Sequence, residues 1–261
     1  MKIDKKLLYE DVEKPGIKYP PSASREISIR YSFACQYIMS KDILEVGFGS
    51  GYGINALISK ASSYHGIDYL KENVNFVKKK FQNKTNFDIK LEQGDAHNLS
   101  ILDFTKDTII AFAVVYYLDL DIFLRECKRV LRVDGNLIFC QTNPSYSFFQ
   151  PSRNTTKYYS YTELEMKLRE IGFSSKFYGI SEEITYTNKY TFFKKAIKFI
   201  KYIPPLKSLL IFLRKSLSFK DLPNKLNVSS DSPELESLIE INNTSKLGNI
   251  RIMYIVATKS N

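Results

Sequence analysis

The sequence predicts an α/β protein: one domain built on a mostly parallel sheet with helices on both faces. Three observations predict it. Apolar, strand-like runs alternate with helix-periodic segments along most of the chain, and that alternation builds parallel sheets buried on both sides. The first apolar run feeds directly into a glycine-rich turn and a helix. The 261 residues are 44% hydrophobic and 25% charged, globular proportions that exclude a disordered chain, a fibre or a disulfide scaffold.

The elements follow in order. Residues 1–21 read as a loose arm, because Pro15-Gly16 and Pro20-Pro21 break any helix, and its charged start has no signal-peptide core. Residues 24–40 carry Ile27, Tyr31, Ala34 and Ile38 at helical spacing. Strands are expected at 42–46, 63–68, 87–92, 107–115, 135–142, 173–178 and 250–258, seven in all. Helices are expected from the glycine turn to about Lys60, at 71–81, at 122–131, and at 162–171, where Gly172 stops the last. The segment 184–245 interrupts this rhythm and reads as a helical insertion before the last strand. No apolar run approaches the roughly 20 residues needed to cross a bilayer.

The net charge is +10, and it is localised. Lys194, Lys195, Lys198, Lys201, Lys207, Arg214, Lys215 and Lys220 supply eight of those charges, with no acid anywhere in 184–220. A nucleic-acid binder with a wholly basic surface is therefore not expected. The three cysteines, Cys35, Cys127 and Cys140, show no paired or metal-ligand spacing, so reduced thiols in a cytoplasmic protein are expected.

The chemistry concentrates in Ile43-Leu44-Glu45-Val46-Gly47-Phe48-Gly49-Ser50-Gly51-Tyr52-Gly53. A dinucleotide fingerprint needs Gly-x-Gly-x-x-Gly, and Tyr52 or Ile54 stands where its third glycine belongs. The pattern is Glu-x-Gly-x-Gly-x-Gly, which suits a ligand with an adenosine but no pyrophosphate. Asp68 ends the second strand, where an acid can accept ribose hydroxyls. Asp95 closes the third strand and can accept from an adenine amine.

These segments resemble the class I S-adenosylmethionine-dependent methyltransferases, over roughly residues 43–177 plus the final strand. "ILEVGFGSGYG" resembles their first motif, "YHGIDYLKENVNFVKKKF" their second strand and helix, "LEQGDAHNL" their third-strand motif, and "FLRECKRVLRVDGNLIFCQTNP" their helix, turn and fifth strand. The Arg-Tyr-x-Phe-Ala segment before the first strand, with "VVYYL" and "NPSYSFFQPSRNTTKYYSYTEL", is similar to bacterial members associated with capsule and other surface-polysaccharide biosynthesis. The resemblance implies a Rossmann-like seven-stranded sheet with its last strand antiparallel, S-adenosyl-L-methionine as cofactor, and methyl transfer to a small or carbohydrate-like acceptor. It implies that Glu45, Gly47, Gly49 and Gly51 surround the methionine part, that Asp68 holds the ribose and Asp95 with Ala96 the adenine, and that Tyr69, His97 and Ala113 complete the cofactor-binding set. Arg30 either pairs with the methionine carboxylate or is an ordinary surface arginine.

The resulting organisation is an arm and covering helix (1–40), a cofactor-binding core (41–183), a basic insertion (184–245) and the returning last strand (246–261). Methyl transfer needs an aligned nucleophile more than a new charge centre, and a hydroxyl acceptor gains from a general base. His65 lies inside a strand and reads as core. His97 and Tyr117 are the candidate catalytic groups. Tyr116, Tyr117, Asn143, Tyr146 and Tyr158 are the candidate acceptor contacts. Related sequences place a histidine shortly before the Tyr-Thr-x-Glu-Leu segment; here Lys157, Tyr158 and Tyr159 stand there.

The insertion admits three readings: a lid attracting an anionic acceptor, a peripheral contact with an anionic membrane through 192–220, or a solvated face. The partner expected is a small-molecule or glycan acceptor, with no nucleic acid. Asn143-Pro144-Ser145-Tyr146 looks like a base-flipping motif but follows the fifth strand. Alternatives are N-methylation of a small amine, an NAD-dependent oxidoreductase or epimerase, and a cofactor-binding relic.

Overall fold

The computed structural model describes residues 21–82, 87–152, 155–181 and 233–260. The chain divides into two compact units, residues 1–181 with 226–261, and residues 182–225. The second unit, and with it the basic segment 192–220, lies outside the described residues, as does the arm 1–20. Among the described residues no helix is long and apolar enough to cross a membrane.

Helix α1 (Pro21–Cys35) precedes β1 (Asp42–Val46), α2 (Ile54–Ile58), β2 (Ser63–Asp68), α3 (Lys71–Phe81), β3 (Ile89–Gln93) and β4 (Lys106–Phe112). Then come α4 (Leu120–Val130), β5 (Leu131–Thr142), α5 (Tyr161–Ile171), β6 (Phe173–Ser181), β7 (Leu238–Ile241) and β8 (Ile250–Lys259). The strands form one sheet in the order β3-β2-β1-β4-β5-β8-β6-β7. The five strands β1 to β5 pair in parallel. Strand β8 runs antiparallel to both β5 and β6.

The sheet therefore has eight strands, not the expected seven. The extra one, β7, falls inside the stretch expected to be a helical insertion. It pairs antiparallel with β6 as an edge strand, Ile180 opposite Leu238 and Phe177 opposite Ile241. Its four residues give too short an alternation to announce a strand. Two other boundaries move for local reasons. Strand β4 stops at Phe112 because Ala113 adopts φ 56°, which an extended strand cannot hold. Strand β5 begins at Leu131, ahead of the expected Gly135, because the turn at Asp134 (φ 59°) is absorbed within it.

Helices cover both faces. Ile27, Phe33, Ile54, Leu57 and Val77 from α1, α2 and α3 pack on one side. Phe123, Leu124, Leu164 and Leu168 from α4 and α5 pack on the other. The helix ends are chemically specified. Asp119 accepts from the backbone N–H of Asp121 and Ile122 to start α4. Ser160 and Glu163 form a reciprocal capping box on α5, and Gly172 at φ 92° ends it; such a cap contributes about 1 kcal/mol. The buried Lys259 ammonium donates to the carbonyls of Lys128 and Leu131, both at 2.7 Å, tying the last strand to the negative end of α4.

Candidate cofactor and acceptor site

Register brings the carboxyl ends of β1, β2, β3 and β4 to one edge. Val46 lies opposite Ile67, Asp68 opposite Gln93, and Glu45 opposite Ile110. The chain leaves β1 for β2 on one side and returns to β4 on the other, so β1 and β4 flank the switch point where open α/β sheets bind ligands. The glycine loop sits there. Gly47, Gly49 and Gly51 hold φ of 75°, 55° and 67°, a region that costs other residues about 1 kcal/mol. A Cβ on Gly47 would stand 3.1 Å from the Val114 side chain that follows β4, so the loop and the β4 end approach closely only because this residue has no side chain.

Asp68 anchors the loop. Its Oδ2 accepts from the Gly49 N–H at 2.9 Å, and its Oδ1 from the Leu70 N–H at 2.9 Å and from Asn73 Nδ2 at 3.2 Å. The carboxyl is 6% exposed, and burial pushes its pKa up against those three donors. With three of roughly four acceptor positions in use, Asp68 has capacity for one ribose hydroxyl, where the sequence suggested both. Tyr69, next in the chain, is exposed, and its carbonyl accepts from Gln93.

At the end of β3, Asp95 has a half-exposed side chain, and its Oδ1 accepts from His97 twice, from the backbone N–H and from Nδ1 at 2.8 Å. His97 Nε2 in turn accepts the Asp119 N–H at 2.9 Å, which places the ring proton on Nδ1. Both ring nitrogens thus join the β3 loop to the start of α4, a positioning arrangement rather than that of a waiting base. Ala96, between Asp95 and His97 in the chain, is buried. His65 is buried in β2 with Nε2 2.7 Å from Glu92; burial lowers its pKa, as a core residue requires.

Glu45 is 1% exposed, and a phenol meets each of its oxygens: Tyr31 at 2.7 Å and Tyr64 at 2.5 Å. Burial, then the Glu45 charge, drive the Tyr64 pKa well above its ordinary value, so that phenol remains a donor. Neither tyrosine was singled out as a site residue from sequence; the Arg-Tyr-x-Phe-Ala segment held the one signal, for Tyr31. Its neighbour Arg30 lies 3.9 Å from Glu26, and its charge acts on Tyr116 and Tyr254.

The acceptor side is aromatic. Tyr116, in the short turn Val115–Tyr117 after β4, stacks on Tyr158 with ring centres 4.8 Å apart and touches Tyr117 at 4.7 Å. Phe149 meets Tyr158 edge-on at 5.0 Å. The Thr156 N–H donates to the Tyr116 carbonyl at 2.7 Å, and the Thr156 hydroxyl to the Tyr117 carbonyl, so the loop before α5 is pinned over the end of β4. Burial, then the neighbouring Tyr117, hold the Tyr116 pKa well above its ordinary value, keeping it a neutral phenol. Asn143 leaves the acceptor set. It is fully buried, its Nδ2 donates to the carbonyls of Leu247 and Ile250, and its Oδ1 accepts from Ser145; it pins the loop after β5 to β8. Tyr146 meets Phe148 edge-on, with ring centres 5.8 Å apart.

The donor set fits S-adenosylmethionine. A loop with glycine at every second position, a half-exposed acid at β3, and the buried Ser50 hydroxyl, with no hydrogen-bond partner among the described residues, suit a ligand with an amine, a carboxylate and a ribose. Residues 44–139 match the family model of the methyltransferase domain. A Mycolicibacterium smegmatis protein named "probable S-adenosylmethionine-dependent methyltransferase" is 28% identical over 142 residues, 54% of this chain and 52% of that one. A fatty-acid O-methyltransferase of the same species is 29% identical over 150 residues, 54% and 53% of the two chains. The chain thus spans about half the length of these relatives. Among solved structures, the YcgJ protein of Bacillus subtilis superimposes with a TM-score of 0.57 at 15% identity, covering 91% of this chain and 99% of that one.

Proposed function

We propose that this chain, whose residues 44–139 form a class I S-adenosylmethionine-dependent methyltransferase domain, transfers a methyl group to an oxygen of a small, carbohydrate-like acceptor. The observation that carries the reading is the Asp68–Gly49 contact, which sets the glycine loop at the switch point beside the aromatic end of β4. S-adenosylmethionine supplies, when bound, an electrophilic methyl group on a positively charged sulfur. The glycine loop, Asp68, Asp95 and Ala96 would hold it. Tyr116, Tyr117, Tyr158 and Phe149 exclude water and offer ring faces to the acceptor.

Likeness to a fatty-acid O-methyltransferase supports oxygen as the methylated atom. The surface-polysaccharide resemblance supports a sugar, a nucleotide-linked sugar or a phosphate-bearing glycan as the acceptor, and a cytoplasmic setting. Both ring nitrogens of His97 are engaged, by Asp95 and by the Asp119 N–H, and burial keeps Tyr116 a neutral phenol, so neither supplies a base to an acceptor hydroxyl.

The test is turnover with methyl-labelled cofactor against nucleotide sugars and lipid-linked glycans. The expected product is a methyl ether that survives mild alkali. Label released as methanol would mean a carboxylate acceptor and refute the sugar reading. Label in an amine would refute O-methylation.

A further inference from the structure

We propose that Tyr31 is a positioning residue for the aminoacyl end of the cofactor, acting through Glu45; this rests on S-adenosylmethionine being the cofactor. Three contacts converge on Tyr31. Its ring lies flat against Gly53, where a Cβ would come within 1.9 Å of it. It meets Phe112, the last residue of β4, edge-on at 5.4 Å and 86°. Its phenol donates to Glu45 Oε1 at 2.7 Å, while Tyr64 donates to Oε2.

Two phenols, one on each oxygen, fix the plane and rotation of a buried carboxylate two residues before Gly47. An acid oriented before binding meets an ammonium without losing rotamer freedom on association. The aminoacyl ammonium is the cofactor's one strong cationic donor, so this is the part that gains. The adenosine end is held elsewhere, by Asp68 and Asp95. Tyr31 also comes from α1, ahead of residues 44–139 that match the domain model. A helix outside that stretch therefore contributes to reading the cofactor.

The test is calorimetry on the full chain with three probes: S-adenosylmethionine, S-adenosylhomocysteine and 5′-methylthioadenosine, which lacks the aminoacyl group. Tyr31→Phe keeps the ring on Gly53 and Phe112 and removes only the hydroxyl. Affinity for the first two should fall about fivefold to tenfold, with methylthioadenosine changed less than about twofold. Tyr64→Phe should give the same selective loss, and it carries the test should Tyr31→Phe fold poorly. Equal losses on all three probes would make Tyr31 a general support and overturn the inference, as would no loss on any. A wild-type chain that binds none of the three would overturn the cofactor reading itself.

Discussion

Gly53→Ala should destabilise the protein although its backbone is ordinary. Gly53 sits at φ −83° and ψ −16°, where alanine replaces glycine without strain and typically gains about 0.4–1 kcal/mol. The obstacle is Tyr31. The new Cβ would lie 1.9 Å from one ring carbon and 2.1 Å from two others, against an optimal carbon separation of about 3.5 Å. The ring is 7% exposed and cannot retreat without disturbing Phe112 or lengthening the bond to Glu45. Overpacking of this kind costs about 1–3 kcal/mol, and weakening a hydrogen bond to a charged group up to about 1.5–3 kcal/mol. The net expectation is a loss of about 2–4 kcal/mol, read as a lower urea midpoint at unchanged slope. Gly94→Ala is the control: its Cβ would meet nothing nearer than 3.4 Å, so its effect should stay within about 0.5 kcal/mol. In a Tyr31→Ala background the cost of Gly53→Ala should vanish, a coupling that a double-mutant cycle isolates. A neutral Gly53→Ala, or an equal cost in both backgrounds, would refute the placement of α1 over the loop.

Asp68→Ala should lower cofactor affinity about tenfold to a hundredfold by calorimetry, because it strips the acceptor that holds the Gly49 N–H, an unpaired buried group costing about 1–3 kcal/mol; unchanged affinity would mean that Asp68 does not set the loop. Lys157, then the Ser160 backbone and hydroxyl, hold the Glu163 carboxyl down at about 2 from 4.5. A depressed acid contributes stability above its unfolded pKa and loses it as pH falls through the folded one. The stability gap between wild type and Glu163→Gln should therefore be full above about pH 4.5 and close as pH falls towards 2. All three cysteines are buried, and burial pushes the Cys35 thiol up to about 11. Iodoacetamide at mildly alkaline pH should therefore leave the native protein unlabelled and give three adducts after denaturation, counted by mass spectrometry.

Local chemistry made most of the fold legible. The apolar run ending at Val46, the glycines after it, and the acids at positions 68 and 95 are short-range patterns, and each landed at the carboxyl edge of a strand. Capping residues Asp119, Ser160 and Gly172 also announce themselves by type and position. What the sequence did not announce depends on contacts between distant residues. The Tyr31–Glu45–Tyr64 clamp joins residues 14 and 19 positions apart, and no periodicity marks a phenol as a partner for one buried acid. His97 was read as a possible base because a histidine near a strand end has that chemistry; only the positions of Asp95 and the Asp119 N–H assign both of its nitrogens. Asn143 similarly looked available until Leu247, in the turn before β8, and Ile250, at its start, supplied the carbonyls that consume its amide. Strand β7 escaped because an edge strand of four residues is defined by the neighbour it pairs with.

The pairing of β6 with β7 has a consequence for how this chain can be rebuilt. Ile180 and Leu238 stand side by side in the ladder, so β6 and β7 bring the two ends of the intervening chain to neighbouring positions on the sheet edge. The entropy of closing such a loop rises only with the logarithm of its length, about 0.6 kcal/mol per doubling. A graft between Ser181 and Pro233 that keeps its two ends at that spacing is therefore expected to leave the β6–β7 pairs in register. The edge that holds Asp68 and the glycines lies on the other half of the sheet, so such a change at the β6–β7 stem is expected to leave that edge as it is.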